Sequence, residues 1–160
     1  MDLRQSISFG LRFRIEHFDD SDEIGRIDLP GGISEWTILK NGRRLLHRIG
    51  GPAFVGPNGE FEWVINGVRH RLDGPAKRDS DGIEYWFFDG KLHRDSGPAI
   101  VFPNGTQIWY EHGARHREDG PAVENTDGTY EYWINSLICR DAEDHQETLK
   151  LWRIRQVLEP

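Results

Sequence analysis

Residues 70–76 read His-Arg-Leu-Asp-Gly-Pro-Ala, and the pattern His-Arg-x-x-Gly-Pro-Ala occurs four times in this chain. Each copy begins 23 residues after the one before it, at His47, His70, His93 and His116. The tripeptides are Gly51–Ala53, Gly74–Ala76, Gly97–Ala99 and Gly120–Ala122. A fixed period of this length is typical of repeat proteins, in which one small unit packs on the next to build a shared core.

Two tight-turn signals and one aromatic residue separate successive copies. The first turn is an Asn-Gly or Asp-Gly pair, at residues 58–59, 81–82, 104–105 and 127–128. Such pairs are the strongest short-range signal for a β-hairpin. Four residues later comes the aromatic residue, which is Trp63, Trp86, Trp109 or Tyr132, and a second turn follows at 66–67, 89–90, 112–113 and 135–136. Each unit is therefore predicted to contain a short strand, a turn, a longer strand with the aromatic residue, and a second turn.

The pattern extends in a modified form towards the N-terminus. Gly32 and Trp36 have the spacing of the later units, and Asn41-Gly42 supplies the second turn, but four residues are inserted around Leu39–Leu46. Before this unit, Ile7–Ile15 alternates apolar and polar residues, which predicts a half-buried strand. This strand is expected to cap the open edge of the array.

The pattern ends at Cys139-Arg140, because no Gly-Pro-Ala follows this pair. The last residues are predicted to form a capping helix that begins at Asp141 or Asp144. Its expected apolar face consists of Leu149, Trp152, Ile154, Val157 and Leu158. We expect a single domain over residues 1–160, with a cap strand and acidic loop at 1–24, the repeat array at 25–140 and the helix at 141–160.

The repeated pattern resembles the MORN repeat over residues 25–140. The shared features are the aromatic residue, the glycine three or four positions later, the histidine and the Asp-Gly turn. His-Arg stands where the family usually has His-Gly, as in a divergent variant found in uncharacterised phage and large-virus proteins. The resemblance implies a mainly β fold, an elongated antiparallel sheet of about five stacked β-hairpin units. It also implies a binding platform, and the viral variant suggests an inhibitor that docks a host defence protein.

The composition limits the classes of function that the chain can have. The formal net charge of −7 argues against a general affinity for nucleic-acid backbone. The single Cys139 cannot form an internal disulfide, and no apolar run has the length of a signal peptide or a membrane span. We therefore expect a cytoplasmic protein, in the host cell if it is viral. No enzyme signature is visible, so no catalytic residue, cofactor or metal is assigned.

The His-Arg pairs allow two interpretations. Aligned in rows, Arg48, Arg71, Arg94 and Arg117 would form an anion-binding track for a nucleotide or another phosphorylated ligand. Alternatively, each histidine bonds the backbone of a neighbouring unit, and the arginines pair with Asp73, Asp95 and Asp119. We favour the structural role, because every interface between units poses the same packing problem.

The aromatic residues predict which sheet face is buried. Strand alternation places Ile38, Ile65, Phe88 and Ile134 on the side of the tryptophans, and this side is expected to form the core. The other side carries a candidate partner-binding stripe of Tyr85, Phe87, Ile108, Tyr110 and Trp133. This stripe is either an interface or is covered by a terminal cap. The strand after Gly-Pro-Ala varies from unit to unit, which suits binding specificity, at Phe54, Lys77-Arg78, Ile100 and Val123-Glu124.

These observations favour a non-enzymatic module that binds a protein partner through the stripe. The alternative is a binder of a phosphorylated ligand along the arginines. Self-assembly through the ends of the array is a third possibility, and the sequence does not fix the oligomeric state.

Overall fold

The computed structural model describes residues 12–17 and 23–158, with side chains from residue 25 onward. The described chain consists of antiparallel β-strands and one C-terminal helix, which confirms the mainly β prediction. It divides into two compact units, Met1–Gly82 and Ile83–Pro160. Residues 7–11 of the predicted N-terminal strand lie outside the described residues, as does the acidic loop at 18–22.

The first unit contains nine strands. They are β1 (Arg12–His17), β2 (Glu23–Leu29), β3 (Ile33–Lys40), β4 (Arg43–Leu46), β5 (Phe54–Val55), β6 (Phe61–Glu62), β7 (Val64–Ile65), β8 (Val68–Arg69) and β9 (Lys77–Arg78). Six of them form a sheet in the order β1-β2-β3-β5-β6-β9, and every pairing within it is antiparallel. Strand β4 pairs with β3, and β7 forms a separate hairpin with β8.

The second unit follows the same plan. Its elements are β10 (Glu84–Tyr85), β11 (Phe87–Phe88), β12 (Lys91–Leu92), β13 (Ile100–Val101), β14 (Gln107–Ile108), β15 (Tyr110–Glu111), β16 (Ala114–Arg115), β17 (Val123–Glu124), β18 (Tyr130–Ile134), β19 (Leu137–Cys139) and α1 (Ala142–Leu158). Its sheet has the order β10-β13-β14-β17-β18-β19, and the pairs β11-β12 and β15-β16 form separate hairpins.

The second turn of each unit is a tight hairpin turn, as predicted. Its first residue adopts the left-handed conformation, with φ between 47° and 51° at Asn41, Asn66, Asp89, His112 and Asn135. A second residue with positive φ follows, a glycine in four turns and Ser136 in the last. Two consecutive residues of positive φ match the twist of the flanking strands, so these turns close the hairpins.

The longer strand predicted through each aromatic residue is interrupted in the middle units. Trp63, for example, separates β6, which belongs to the sheet, from β7, which belongs to a hairpin. Its N–H donates to the Ala76 carbonyl at 2.6 Å, and its carbonyl accepts from the His70 N–H at 3.1 Å. The two backbone groups of one tryptophan therefore bond two different segments, and the strand is interrupted there.

This interruption corrects the predicted core. Ile38 and Ile134 are buried as expected, but Ile65 is 38% and Phe88 is 40% exposed. Val64, which strand alternation places on the face opposite Trp63, is only 3% exposed. Alternation does not run through a strand that ends at the tryptophan, so the buried side changes there. The alanines of all four Gly-Pro-Ala tripeptides are completely buried.

Helix α1 caps the end of the second unit. Asp141 accepts hydrogen bonds from the Glu143 and Asp144 N–H groups at 3.0 and 2.9 Å, which confirms it as the N-cap. Leu149 packs with Ile134 and Cys139, and Trp152 lies against this cluster. The predicted apolar face is wrong for Ile154, Val157 and Leu158, which are mostly exposed. Within the described ranges, no helix is long and apolar enough to cross a membrane.

Candidate functional site

The guanidinium carbon of each of the four arginines lies over a tryptophan ring. The distances from guanidinium carbon to ring centroid are 3.9 Å for Arg48–Trp36, 4.1 Å for Arg71–Trp63, 4.2 Å for Arg94–Trp86 and 4.0 Å for Arg117–Trp109. At this distance the cation is attracted by the negative face of the ring. The arginine also covers one face of a ring that the sheet leaves half-buried, as at Trp63, Trp86 and Trp109.

The Gly-Pro-Ala tripeptide completes this contact. The proline carbonyl accepts a hydrogen bond from the guanidinium four residues earlier, at 3.1 Å for Arg48, 3.2 Å for Arg71, 3.3 Å for Arg94 and 3.1 Å for Arg117. The glycine leaves room for it, because a Cβ on Gly51 or Gly74 would lie 2.8 Å from the guanidinium carbon. The alanine carbonyl accepts the N–H of the stacked tryptophan. We call each set of tryptophan, arginine and Gly-Pro-Ala a Trp–Arg clamp.

The histidines bind the second turns. His47 Nδ1 accepts from the Asn66 N–H at 3.0 Å, His93 Nδ1 from His112 at 3.3 Å, and His116 Nδ1 from Asn135 at 3.1 Å. In each case the donor lies 19 residues later and has positive φ. A neutral imidazole that accepts at Nδ1 carries its proton on Nε2. At His47 the same Nδ1 also lies 3.1 Å from Asn66 Oδ1, so the contacts do not assign one tautomer to all three rings.

Acidic residues surround these groups. Asp73 and Asp119 accept from the Nε of Arg71 and Arg117, each at 2.8 Å, and these hydrogen bonds lower the pKa of both carboxyls. Asp95 was expected to pair with an arginine, but it lies 2.9 Å from His93 Nε2 instead. The described guanidiniums of the clamps are thus engaged by a ring and a carbonyl, and two of them by a carboxylate as well.

The candidate partner-binding stripe lies within the second unit, and its five members are all half-buried. Tyr85 and Ile108 stand in one cross-strand row with the buried Ile100 and Val123. The Phe87 ring centroid is 6.5 Å from that of Tyr85. The varying positions Ile100 and Val123 therefore contribute to packing in this unit.

Arg115 joins the other two members of the stripe. Its guanidinium carbon is 4.6 Å from the Trp133 ring centroid and 5.7 Å from that of Tyr110. It donates to the Tyr110 hydroxyl at 3.4 Å and to Glu131 at 3.3 Å, and Glu131 accepts from Trp133 Nε1 at 2.8 Å. Strand alternation places Glu131 on the same face as Trp133, but it does not single out Arg115, because the repeated pattern draws attention only to the aromatic residues.

Helix α1 packs on the opposite side of β18 from Trp133. The His145 ring contacts the Tyr132 ring at 5.3 Å, and Tyr132 and Ile134 alternate with Trp133 along the strand. His145 Nε2 is 2.8 Å from the Arg117 carbonyl, and the Trp152 ring lies 4.8 Å from that of His116. The helix therefore contacts the His116-Arg117 pair, whose arginine belongs to the last Trp–Arg clamp.

A polar cleft of about 590 Å³ lies beside the last two clamps of the second unit. Four carboxylates line it, those of Asp95, Glu111, Glu118 and Asp119. His116 Nε2 is buried at its base, 3.3 Å from Glu111 and 3.7 Å from Glu118. The Glu111 contact is within ion-pair range but is poorly aligned, so this N–H has no hydrogen-bond partner among the described atoms. Arg94 and Arg117 also line the cleft, and Arg153 is paired with Glu118, so Glu111 is the carboxylate best placed to receive a cationic group.

Cys139 lies in the apolar cluster under α1. Burial raises the pKa of its thiol, which disfavours the nucleophilic thiolate. Among the described residues, no group of three or more His, Cys, Asp or Glu side chains is arranged to hold a metal ion.

Comparison of the chain with protein-family models, with curated proteins and with solved structures finds no match.

Proposed function

We propose that the chain is a MORN-like array of about five β-hairpin units and that it acts as a non-enzymatic protein-interaction module. Support for the array comes from the Trp–Arg clamps, whose four arginines are 23 residues apart and make the same contacts. A contact that recurs at each period solves a packing problem common to all units. The clamps are therefore assigned to the frame, by which we mean the strands, turns and contacts that the units have in common.

The binding surface is the stripe of Tyr85, Phe87, Ile108, Tyr110 and Trp133, together with Arg115. The observation that carries this assignment is the Arg115 guanidinium between the Tyr110 and Trp133 rings. Aromatic residues and arginine are the residues most enriched in the centres of protein interfaces. Their mutual contacts also hold the side chains in place before a partner binds, which lowers the entropic cost of association.

The partner is a protein with a cationic segment next to an apolar one. The apolar part would pack on the stripe, and the cationic part would enter the polar cleft beside Glu111. Opposite charges across the rim of an interface accelerate association and select the partner. The resemblance to viral proteins suggests a host defence protein as this partner and the host cytoplasm as the location.

Capture experiments with the purified chain test the stripe. Replacing Phe87, Tyr110 and Trp133 together with serine should abolish capture of the partner while the chain stays folded. The matched control replaces three exposed apolar residues elsewhere, Ile49, Leu72 and Tyr130, which are 78%, 78% and 59% exposed. Capture that persists in the stripe variant, or disappears equally in the control, would contradict the proposed surface.

The alternative function is the binding of a nucleotide or another phosphorylated ligand by Arg48, Arg71, Arg94 and Arg117. This function requires that the guanidiniums leave their tryptophans or accept a phosphate at their remaining N–H groups. Phosphate would also approach the carboxylates of Asp73 and Asp119, which are 81% and 83% exposed. These contacts favour the interaction module over the anion track.

A further inference from the structure

The Trp–Arg clamps differ in one contact of the guanidinium. In two of them the arginine Nε also donates to an aspartate two residues later, at 2.8 Å, in the pairs Arg71–Asp73 and Arg117–Asp119. Arg94 has Ser96 at the position of this aspartate. Among the described residues, its guanidinium donates only to the Pro98 carbonyl, at 3.3 Å. Arg94 therefore has the ring and carbonyl contacts of a clamp but lacks the carboxylate.

The adjacent Asp95 does not supply the missing carboxylate. Its Oδ1 lies 2.9 Å from His93 Nε2. Because His93 Nδ1 accepts from the His112 N–H, the neutral ring carries its proton on Nε2 and donates it to Asp95. Arg94 is half-buried and lines the polar cleft of the second unit. An acceptor that enters this cleft can therefore reach a guanidinium edge that the described chain leaves without a carboxylate.

The other clamps show which chemical group fits this edge. Arg71 and Arg117 each bind a carboxylate oxygen at Nε and keep both the tryptophan ring and the proline carbonyl. A planar carboxylate matches the planar guanidinium, and the hydrogen bond between them is strengthened by both charges. A carboxylate from outside the chain could make the same bond to Arg94 without displacing a contact of the clamp.

The acidic residues of the cleft restrict the ligand further. Glu118 is paired with Arg153, and Asp119 is paired with Arg117, whereas Glu111 has no lysine or arginine partner among the described residues. An anion alone would be repelled by these carboxylates. A carboxylate next to an ammonium or guanidinium group satisfies Arg94 and Glu111 together and adds no net charge to the cleft.

We propose that Arg94 binds a carboxylate of the partner, next to the cationic group that Glu111 receives. This inference rests on the proposed interaction module and specifies its partner. The segment that enters the cleft carries an aspartate or glutamate close to its lysine or arginine. Arg48, with Gly50 at the aspartate position, also lacks a carboxylate and is the internal reference for an unspecific contact with an anion.

Titration of the full chain, labelled with nitrogen-15, tests the proposal, because the Nε–H signal of each arginine responds to its own partner. The probes are acetyl-Lys-Glu-amide and its homologues with one or two glycines between the charged residues. At least one should shift the Arg94 signal to saturation at millimolar concentration. The same peptide with glutamine in place of glutamate should bind about tenfold more weakly. Inorganic phosphate is the control for negative charge alone and should not shift this signal.

Two variants of the exposed Ser96 locate the site. Ser96→Asp introduces the aspartate that the Arg71 and Arg117 clamps have. The Arg94 signal should then move in the free chain, and the response to the peptide should fall by about tenfold. Ser96→Asn has the same shape without the charge and should keep the response. A Ser96→Asp chain whose Arg94 signal has moved but whose peptide response is unchanged would overturn the proposal.

The peptide series decides the question independently of these variants. The proposal is overturned if no peptide shifts the Arg94 signal, if the glutamine peptide or phosphate shifts it equally, or if Arg48 responds as strongly as Arg94. The peptides lack the apolar part that would pack on the stripe, so replacement of Phe87, Tyr110 and Trp133 should not change the response. Failure of the stripe in capture experiments and failure of the Arg94 site are therefore distinguishable.

Discussion

Arg71 in the first unit and Arg94 in the second lie over their tryptophans in the same way, yet the residues on either side of those tryptophans differ in kind. Glu62 and Val64 flank Trp63, whereas Tyr85 and Phe87 flank Trp86. Glu62 forms salt bridges with Arg69 and Lys77, at 2.9 and 3.9 Å. The frame is thus common to both units, and the chemistry of the surface changes from charged to aromatic.

This difference locates the proposed binding surface in the second unit. A position that must be filled identically in each unit carries no information about a partner. The side chains next to the tryptophans take no part in the Trp–Arg clamp, so the clamp does not determine their identity, although core packing does constrain the buried Val64. Substitutions in the clamp should therefore change stability, and substitutions in the stripe should change binding.

The largest expected effect follows from removing two clamps at once. Arg71→Ala together with Arg94→Ala removes two cation–π contacts and two hydrogen bonds to proline carbonyls. We expect a loss of about 2–4 kcal/mol in the free energy of unfolding, measured by urea denaturation. The exposed pair Arg43→Ala and Arg44→Ala is the control for lost positive charge, and it should cost little.

The same variants separate the frame from the anion track. In thermal unfolding, we expect phosphate and nucleotides to leave the Tm of the wild-type chain unchanged. A rise in Tm with ligand that disappears in the Arg71→Ala, Arg94→Ala variant, and persists in the Arg43→Ala, Arg44→Ala control, would assign ligand binding to the clamps instead.

A smaller effect is expected where the glycine makes room for the guanidinium. The new Cβ in Gly74→Ala would lie 2.8 Å from the Arg71 guanidinium carbon, so the arginine must move off its ring. We expect a cost of about 1–2 kcal/mol. In an Arg71→Ala background the clash is absent, and the same substitution should cost less or stabilise the chain.

A double-mutant cycle by urea denaturation measures this coupling. Equal costs of Gly74→Ala in both backgrounds would show that the glycine is needed for its backbone and not for the space it leaves. Gly74 does not have the positive φ found at Gly97, so an alanine at position 74 tests the space for the guanidinium without added backbone strain.

Much of the frame was predictable because it is local. The Asn66-Gly67 turn and the cap at Asp141 each depend on the preferences of a few adjacent residues, and the structure has both. The period of Gly-Pro-Ala likewise predicted that each copy has the same surroundings. The mainly β class follows from these local signals, since closely spaced hairpin turns leave room only for short strands.

The packing was less predictable because it depends on where each strand is interrupted. Alternation through Trp63 predicted a buried Ile65, but the tryptophan bonds two different segments and the alternation ends there. The contact between Arg71 and Trp63 joins two hairpins, so spacing alone does not reveal it. No sequence pattern indicates Arg115, because it meets Trp133 only once the chain has folded.

The smallest expected effect concerns the end of the pattern, where a helix takes the place of a further clamp. Asp144 accepts a hydrogen bond from the Arg140 N–H at 2.8 Å, and this bond lowers the pKa of its carboxyl below the ordinary value. A folded-state pKa below the unfolded one means that the carboxylate stabilises the fold above the unfolded pKa. The contribution is lost as the pH falls through the folded pKa.

Asp144→Asn should therefore lower the Tm by about 1–2 °C at neutral pH, and the difference from wild type should shrink once the pH falls below the unfolded carboxyl pKa of about 4. Asp81→Asn is the matched control, because an Asn-Gly pair also supports the turn at 81–82 and the net charge changes equally. A difference in Tm that stays constant from neutral to acidic pH would mean that the ionised carboxylate does not stabilise this junction. The junction between the last hairpin and α1 would then be stabilised by packing and not by this charge.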